Sequence, residues 1–132
     1  MITVLFACVH NAGRSQIAAA FFNRLADPAK ARAISAGTQP ADRVHPEVVA
    51  LMREMGIDLS AQQPQKLTAA LAAQAQWLIT MGCGDECPVV PGTKRDDWPL
   101  ADPKGQSMAA VRAIADDLNR RVRALITGHG WQ

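Results

Sequence analysis

Residues 2–22 read ITVLFACVHNAGRSQIAAAFF, and the fold turns on where this stretch changes character. From Ile2 to Cys8 β-branched and aromatic residues dominate, the pattern of a strand in a parallel sheet covered on both faces. From Ser15, QIAAAFFNRLA has helical composition up to a stop at Asp27-Pro28, and the Ser15 hydroxyl is expected to cap that helix. Between the two lies a turn holding a thiol (Cys8), an imidazole (His10), an amide (Asn11), a glycine (Gly13) and a guanidinium (Arg14). A strand that feeds directly into a helix through such a turn is the start of a βαβ unit.

The rest of the chain repeats the alternation. ARAISAG reads as a second strand ended by Gly37, and HPEVVALMREMG as a helix with Val48, Leu51, Met52 and Met55 on one face and Gly56 as its C-terminal cap. A short helix is expected near Gln65 to Gln74, a third strand at WLITMG, and a fourth near Arg95 to Leu100. The segment SMAAVRAIADDLNRRVRALI places Met108, Val111, Ala115, Leu118, Val122 and Leu125 at spacings of three and four, one long amphipathic helix. The expectation is an α/β fold, a single domain over residues 1–132, with a four-stranded parallel sheet flanked by helices on both faces. In such a sheet ligands collect beyond the carboxyl ends of the strands, where Cys8 and Cys83 both emerge. Trp77 and Trp98 read as packing residues, and Trp131, at the tail, is a candidate for disorder.

Composition narrows the function. The chain has 132 residues, of which 48% are apolar and 20% charged, and a formal charge of +2, enough for one core and too weakly basic for a nucleic-acid surface. The N-terminal apolar run is too short for a membrane span and lacks a preceding basic region, so a cytoplasmic protein with no nucleic-acid or membrane partner is expected. Three cysteines, Cys8, Cys83 and Cys87, do not make a disulfide framework in a reducing compartment; they pose a question of thiol chemistry or metal binding.

The turn answers part of it. Backbone N–H groups at a helix start lack internal partners and the helix dipole adds positive potential, so residues Val9, His10, Asn11, Ala12, Gly13 and Arg14 form a candidate cradle for a tetrahedral oxyanion. Gly13 lets the backbone come close, and Arg14 can grip two oxygens with its planar fork. The same potential, with a hydrogen bond from Ser15, favours the thiolate of Cys8. A nucleophile beneath a bound oxyanion is the result.

The run CVHNAGRS resembles the C-x5-R-S signature of the low-molecular-weight tyrosine phosphatase superfamily, placed at the N-terminus as in that family. The similarity extends through SAGT (35–38), HPEVVALMREMGIDLS (45–60), ITMGCGDECP (79–88) and DWPLADPKGQ (97–106), and these later segments look more like its arsenate reductase branch. The resemblance implies a low-molecular-weight tyrosine phosphatase-like fold and a reaction in which Cys8 attacks arsenic. Asp102 is then the general acid, Arg14 and the loop amides hold the oxygens, Asn11 fixes the loop and Ser15 holds the thiolate. Cys83 attacks the arsenylated Cys8, and Cys87 then attacks Cys83 to move the disulfide outward. The resemblance also implies an oxyanion substrate (arsenate, with phosphate or sulfate as mimics), no bound cofactor or metal, and an external reductant: thioredoxin, or mycothiol with mycoredoxin.

The chain departs from the family pattern in places. His10 stands where related loops often carry glycine, and Gly13 where many carry cysteine. Only Gly84, Asp85 and Glu86 separate the last two cysteines. Ala19 occupies the place of a potassium-binding glutamate, so no such site is expected. Two other classes stay open. A tyrosine phosphatase would use Cys8, Arg14 and Asp102 but would add aromatic residues beside the acid, where this chain has Lys104 and no tyrosine at all. A binding module for arsenicals or metal would use the three cysteines, one short of the four ligands that closed zinc sites want unless the loop residue His10 joins them. His10 and His45 take loop and capping places with no catalytic role.

Overall fold

The computed structural model describes residues 1–82 and 92–132; Cys83 and Cys87 lie outside the described residues. Four strands, β1 (Ile2–Cys8), β2 (Ala31–Gly37), β3 (Trp77–Thr80) and β4 (Lys94–Asp97), form one sheet in the order β2-β1-β3-β4. Every pairing is parallel. The helices are α1 (Arg14–Leu25), α2 (Pro46–Glu54), α3 (Ala69–Ala72) and α4 (Met108–His129). None of the described helices is long and apolar enough to cross a membrane.

Alternation along β1 builds two cores. Val4, Phe6 and Cys8 point into a layer shared with α1, α2 and α4, where Ile17, Phe22, Leu51, Met52, Leu118 and Val122 are fully buried. Leu5 and Ala7 point the other way, against Ala36, Leu67, Ala72, Ala75 and Leu78. Each large apolar side chain so buried contributes about 1.5–3 kcal/mol, and β1, covered on both faces, is pinned between its two neighbours. An aromatic series runs through the larger layer: Phe6 to Trp98 at 5.7 Å, Phe6 to Phe22 at 6.0 Å and Phe22 to Trp131 at 6.0 Å between ring centres.

Three expectations change. Trp131 is not a loose tail residue: it is 8% exposed, stacks on His129 and closes the core over Phe22. The stripe of α4 starts later than Met108, which is exposed in the first turn, and takes in Ile114 and Ile126 beside the expected Val111, Ala115, Leu118, Val122 and partly buried Leu125. The helix expected at 65–74 is one turn, capped by the Thr68 side chain accepting from Leu71 N, since Gln65 and Leu67 are engaged with the β2 end through Gly37. Gly56, φ +83°, follows the end of α2 as expected of a residue just past a helix.

Candidate active site

β1 ends at Cys8 and α1 begins at Arg14, so residues 9–13 must turn the chain from sheet to helix at the carboxyl edge of the central strand pair. The turn is held from outside by its carbonyls. Cys8 O, Val9 O, His10 O and Ala12 O accept from Thr38 N, Gln39 N, Ala41 N and His45 N at 2.8–3.2 Å. With the carbonyls drawn toward the segment after β2, no backbone N–H of residues 9–15 donates to an acceptor among the described residues. Successive N–H groups left this way form a concavity suited to an anion.

Asn11 sits at the bend with φ +50°, in the left-handed region that asparagine tolerates better than other side-chain-bearing residues. Its side chain is fully buried and its orientation is fixed by chemistry. Gln65 N can only donate, and it lies 2.9 Å from Asn11 Oδ1; Asn11 Nδ2 therefore faces Ser15 Oγ at 2.7 Å and donates to it. Ser15 Oγ is then an acceptor toward Asn11 and lies 2.9 Å from Cys8 Sγ, with a second lone pair and its own proton both within reach of the sulfur. Gln16 Nε2 completes the frame by donating to Asn11 O at 3.1 Å. Ser15 consequently does not cap α1, as its position suggested: Gly13 is the cap residue and makes no side-chain bond, while Ser15 is buried inside the first turn and committed to the thiol.

Close backbone approach explains two glycines. A Cβ at Gly37 would stand 2.6 Å from Val9 O and 2.8 Å from Asn11 N, so the end of β2 presses directly on the loop. A Cβ at Gly13 would stand 2.6 Å from Pro103 Cγ and 3.4 Å from His45 Cδ2. Pro103 thus seats the segment carrying Asp102 on the loop itself. That segment is also tied by Arg14 Nη1 donating to Leu100 O at 3.0 Å and by Gly105 N donating to Glu47 Oε1 at 3.3 Å. Asp102 Oδ1 accepts from Lys104 N at 2.9 Å, and Oδ2 lies 3.7 Å from His10 Nδ1. Burial holds the His45 imidazole below its usual pKa, partly offset by the Asp102 and Glu47 carboxylates.

The candidate residues Cys8, His10, Asn11, Gly13, Arg14, Ser15 and Asp102 therefore meet at one place, with Val9 and Ala12 supplying backbone. Arg14 is 7% exposed, and a Cβ on Gly82 would stand 2.6 Å from its Nη1, so the backbone after β3 lies directly on the guanidinium. Gln16, Gln65 and Gly37 join the site without being candidate site residues in the sequence. A glutamine in the first turn of a helix looks solvated until its buried partner is known, and SAGT gave no hint of how near its glycine comes to the loop.

A model of the family described as low molecular weight phosphotyrosine protein phosphatase matches residues 3–129. A putative arsenate reductase of Halobacterium salinarum is 41% identical over 123 residues, covering 89% of this chain and 85% of that protein. A glutaredoxin arsenate reductase of Synechocystis sp. is 36% identical over 129 residues, covering 96% and 97%. Among solved structures, a thioredoxin-dependent arsenate reductase of Corynebacterium glutamicum superposes with TM-score 0.84 at 38% identity, over 97% of this chain and 61% of that one.

Proposed function

The chain belongs to the low molecular weight phosphotyrosine protein phosphatase family, and from that premise we propose that it reduces arsenate to arsenite through Cys8. The observation that carries the reading is the Asn11–Ser15–Cys8 series, in which Ser15 Oγ accepts from Asn11 and keeps its proton free for a Cys8 thiolate 2.9 Å away. A donor aimed at Sγ stabilises the thiolate, the form that attacks.

In the proposed reaction the cradle of loop amides and Arg14 receives arsenate, and the Cys8 thiolate forms an S–As bond as one As–O bond breaks. Asp102 protonates the departing oxygen, while the amides and guanidinium hold the charge on those that remain. Reduction follows when the thiol of Cys83 attacks Cys8 sulfur: the S–As electron pair leaves on arsenic, which falls from As(V) to As(III), and a Cys8–Cys83 disulfide forms. Cys87 then attacks Cys83, freeing Cys8 and leaving Cys83–Cys87 for an external thiol reductant of the thioredoxin, mycoredoxin or glutaredoxin kind. The arsenate reductases among the relatives support this over hydrolysis. Hydrolysis of small phosphate monoesters needs only Cys8, Arg14 and Asp102 and is expected as a side activity.

Arsenate-dependent oxidation of a thioredoxin or mycothiol system by wild type, Cys8→Ser, Cys83→Ser and Cys87→Ser, beside hydrolysis of a small aryl phosphate, tests the proposal. Cys8→Ser should lose both activities. Cys83→Ser should keep hydrolysis and lose multi-turnover reduction; equal reduction with and without Cys83 would refute the relay.

A further inference from the structure

Asp102 has two oxygens with different surroundings. Oδ1 is occupied by Lys104 N, so Oδ2 is the oxygen left for proton transfer, and it is the one facing His10 Nδ1 at 3.7 Å. That separation is within ion-pair range and about 0.7 Å longer than a hydrogen bond. The His10 side chain is 37% exposed as a whole, yet its Nδ1 has no contact with solvent and no hydrogen-bond partner among the described residues. A buried ring nitrogen without a partner is costly, and here it is directed at the carboxylate reserved for the acid. Around the pair stand His45, Glu47 and Lys104, whose fields meet those of His10 and Asp102 at the His45 ring.

We propose that His10 and Asp102 share the proton that the departing oxygen takes up, His10 acting as a positioning residue for the acid; the inference rests on the reading of Asp102 as general acid. An ordinary solvated aspartate is ionised at neutral pH and carries no proton to give. The unpartnered His10 Nδ1 facing Oδ2 gives that proton a second site within ion-pair range, from which Oδ2 takes it up and delivers it. In the first step the Cys8 thiolate forms the S–As bond, the As–O bond breaks with its electron pair on oxygen, and the shared proton passes from Oδ2 to that oxygen. The pair is left as carboxylate and neutral imidazole and regains its proton from solvent. Arsenic stays As(V) throughout this step, so no oxidant or reductant enters it.

The test compares wild type, H10Q, D102N and the double variant in single turnovers of prereduced enzyme with arsenate, with inorganic phosphate as a binding probe. H10Q keeps a hydrogen-bonding side chain but cannot carry the extra proton. The expected result is arsenite release slowed about 10-fold by H10Q and about 100-fold by D102N, with phosphate affinity within about twofold of wild type and H10Q adding little on the D102N background. Aryl phosphates give a readout that damage to the loop would not produce: H10Q should slow phenyl phosphate about 10-fold more than 2,4-dinitrophenyl phosphate, whose leaving group needs no proton. Equal slowing of both esters, loss of phosphate affinity, or full H10Q slowing retained on D102N would overturn the pairing. A D102N enzyme as fast as wild type would instead sink the assignment of Asp102, and a wild type inactive on arsenate and on both esters would sink the reading beneath it.

Discussion

The loop at 9–16 and the segment at 99–106 meet at Gly13 but are built to different standards. In the loop, six of eight residues are buried, four carbonyls between Cys8 and Ala12 are bound from outside, and the Asn11, Ser15 and Gln16 side chains lock one another. In the acid-bearing segment only Pro103 is buried, and its ties are at the edge: Pro103 on Gly13, Leu100 O to Arg14, Gly105 N to Glu47 and Asp102 facing His10. A group that must hold a charged anion against water gains from atoms that cannot move. A group that only delivers a proton needs reach, and an edge attachment is enough. The two regions should therefore fail differently when altered.

The largest effect belongs to the loop. Cys8→Ser leaves the scaffold intact, because a hydroxyl fits where the thiol was, and should lower arsenate turnover and aryl phosphate hydrolysis on the order of 10³-fold or more. Next comes Gly37→Ala, which drives a methyl into Val9 O and Asn11 N. Thermal unfolding should show a loss of about 1–3 kcal/mol, and calorimetry should show phosphate binding weakened in parallel, although residue 37 touches no substrate. Asp102→Asn should slow turnover about 100-fold with phosphate affinity and unfolding midpoint unchanged; a fall in affinity as large as that in rate would erase the distinction between the regions.

How much of this was legible beforehand follows the same division. The strand–turn–helix reading of residues 2–22 gave the fold because β1 is apolar on both faces and α1 follows without a break, and Cys8, Arg14 and Asp102 carry chemistry that few other roles explain. What stayed hidden were roles set by distant chain. Ser15 looks like a cap until Asn11 is seen to take its lone pair, and Asn11 is held by Gln65, 54 residues away. Trp131 looks dispensable by position, yet Phe22 needs a lid. His10 read as a loop residue because nothing near it in sequence announces Asp102. Local pattern reaches neighbours on one element; contacts between the loop and residues 37, 65 and 103 exist only after the sheet has formed.

The smallest expected effect lies where the two regions touch. His45 packs on Gly13 and is held below its ordinary pKa by burial. The folded state thus prefers the neutral ring. The stability this preference provides is complete above about pH 6.5 and is lost as pH falls through the lowered folded value. Between pH 7 and pH 5 the unfolding midpoint of wild type should therefore drop more than that of His45→Gln, by a degree or so at most on the order-of-magnitude scale of a small domain. Equal drops would mean that His45 tolerates its charge in the folded protein.

On the proposed function the loop presents Cys8 sulfur as a nucleophile beneath a cradle for a tetrahedral oxyanion. Alkylation of a Cys83→Ser, Cys87→Ser double variant by iodoacetamide at neutral pH, followed by peptide mass mapping with increasing inorganic phosphate, measures both halves at once. Cys8 should be modified, phosphate should block the modification saturably, and Ser15→Ala should slow it. Cys8 left unmodified, or modified at a rate indifferent to phosphate, would contradict the proposed function.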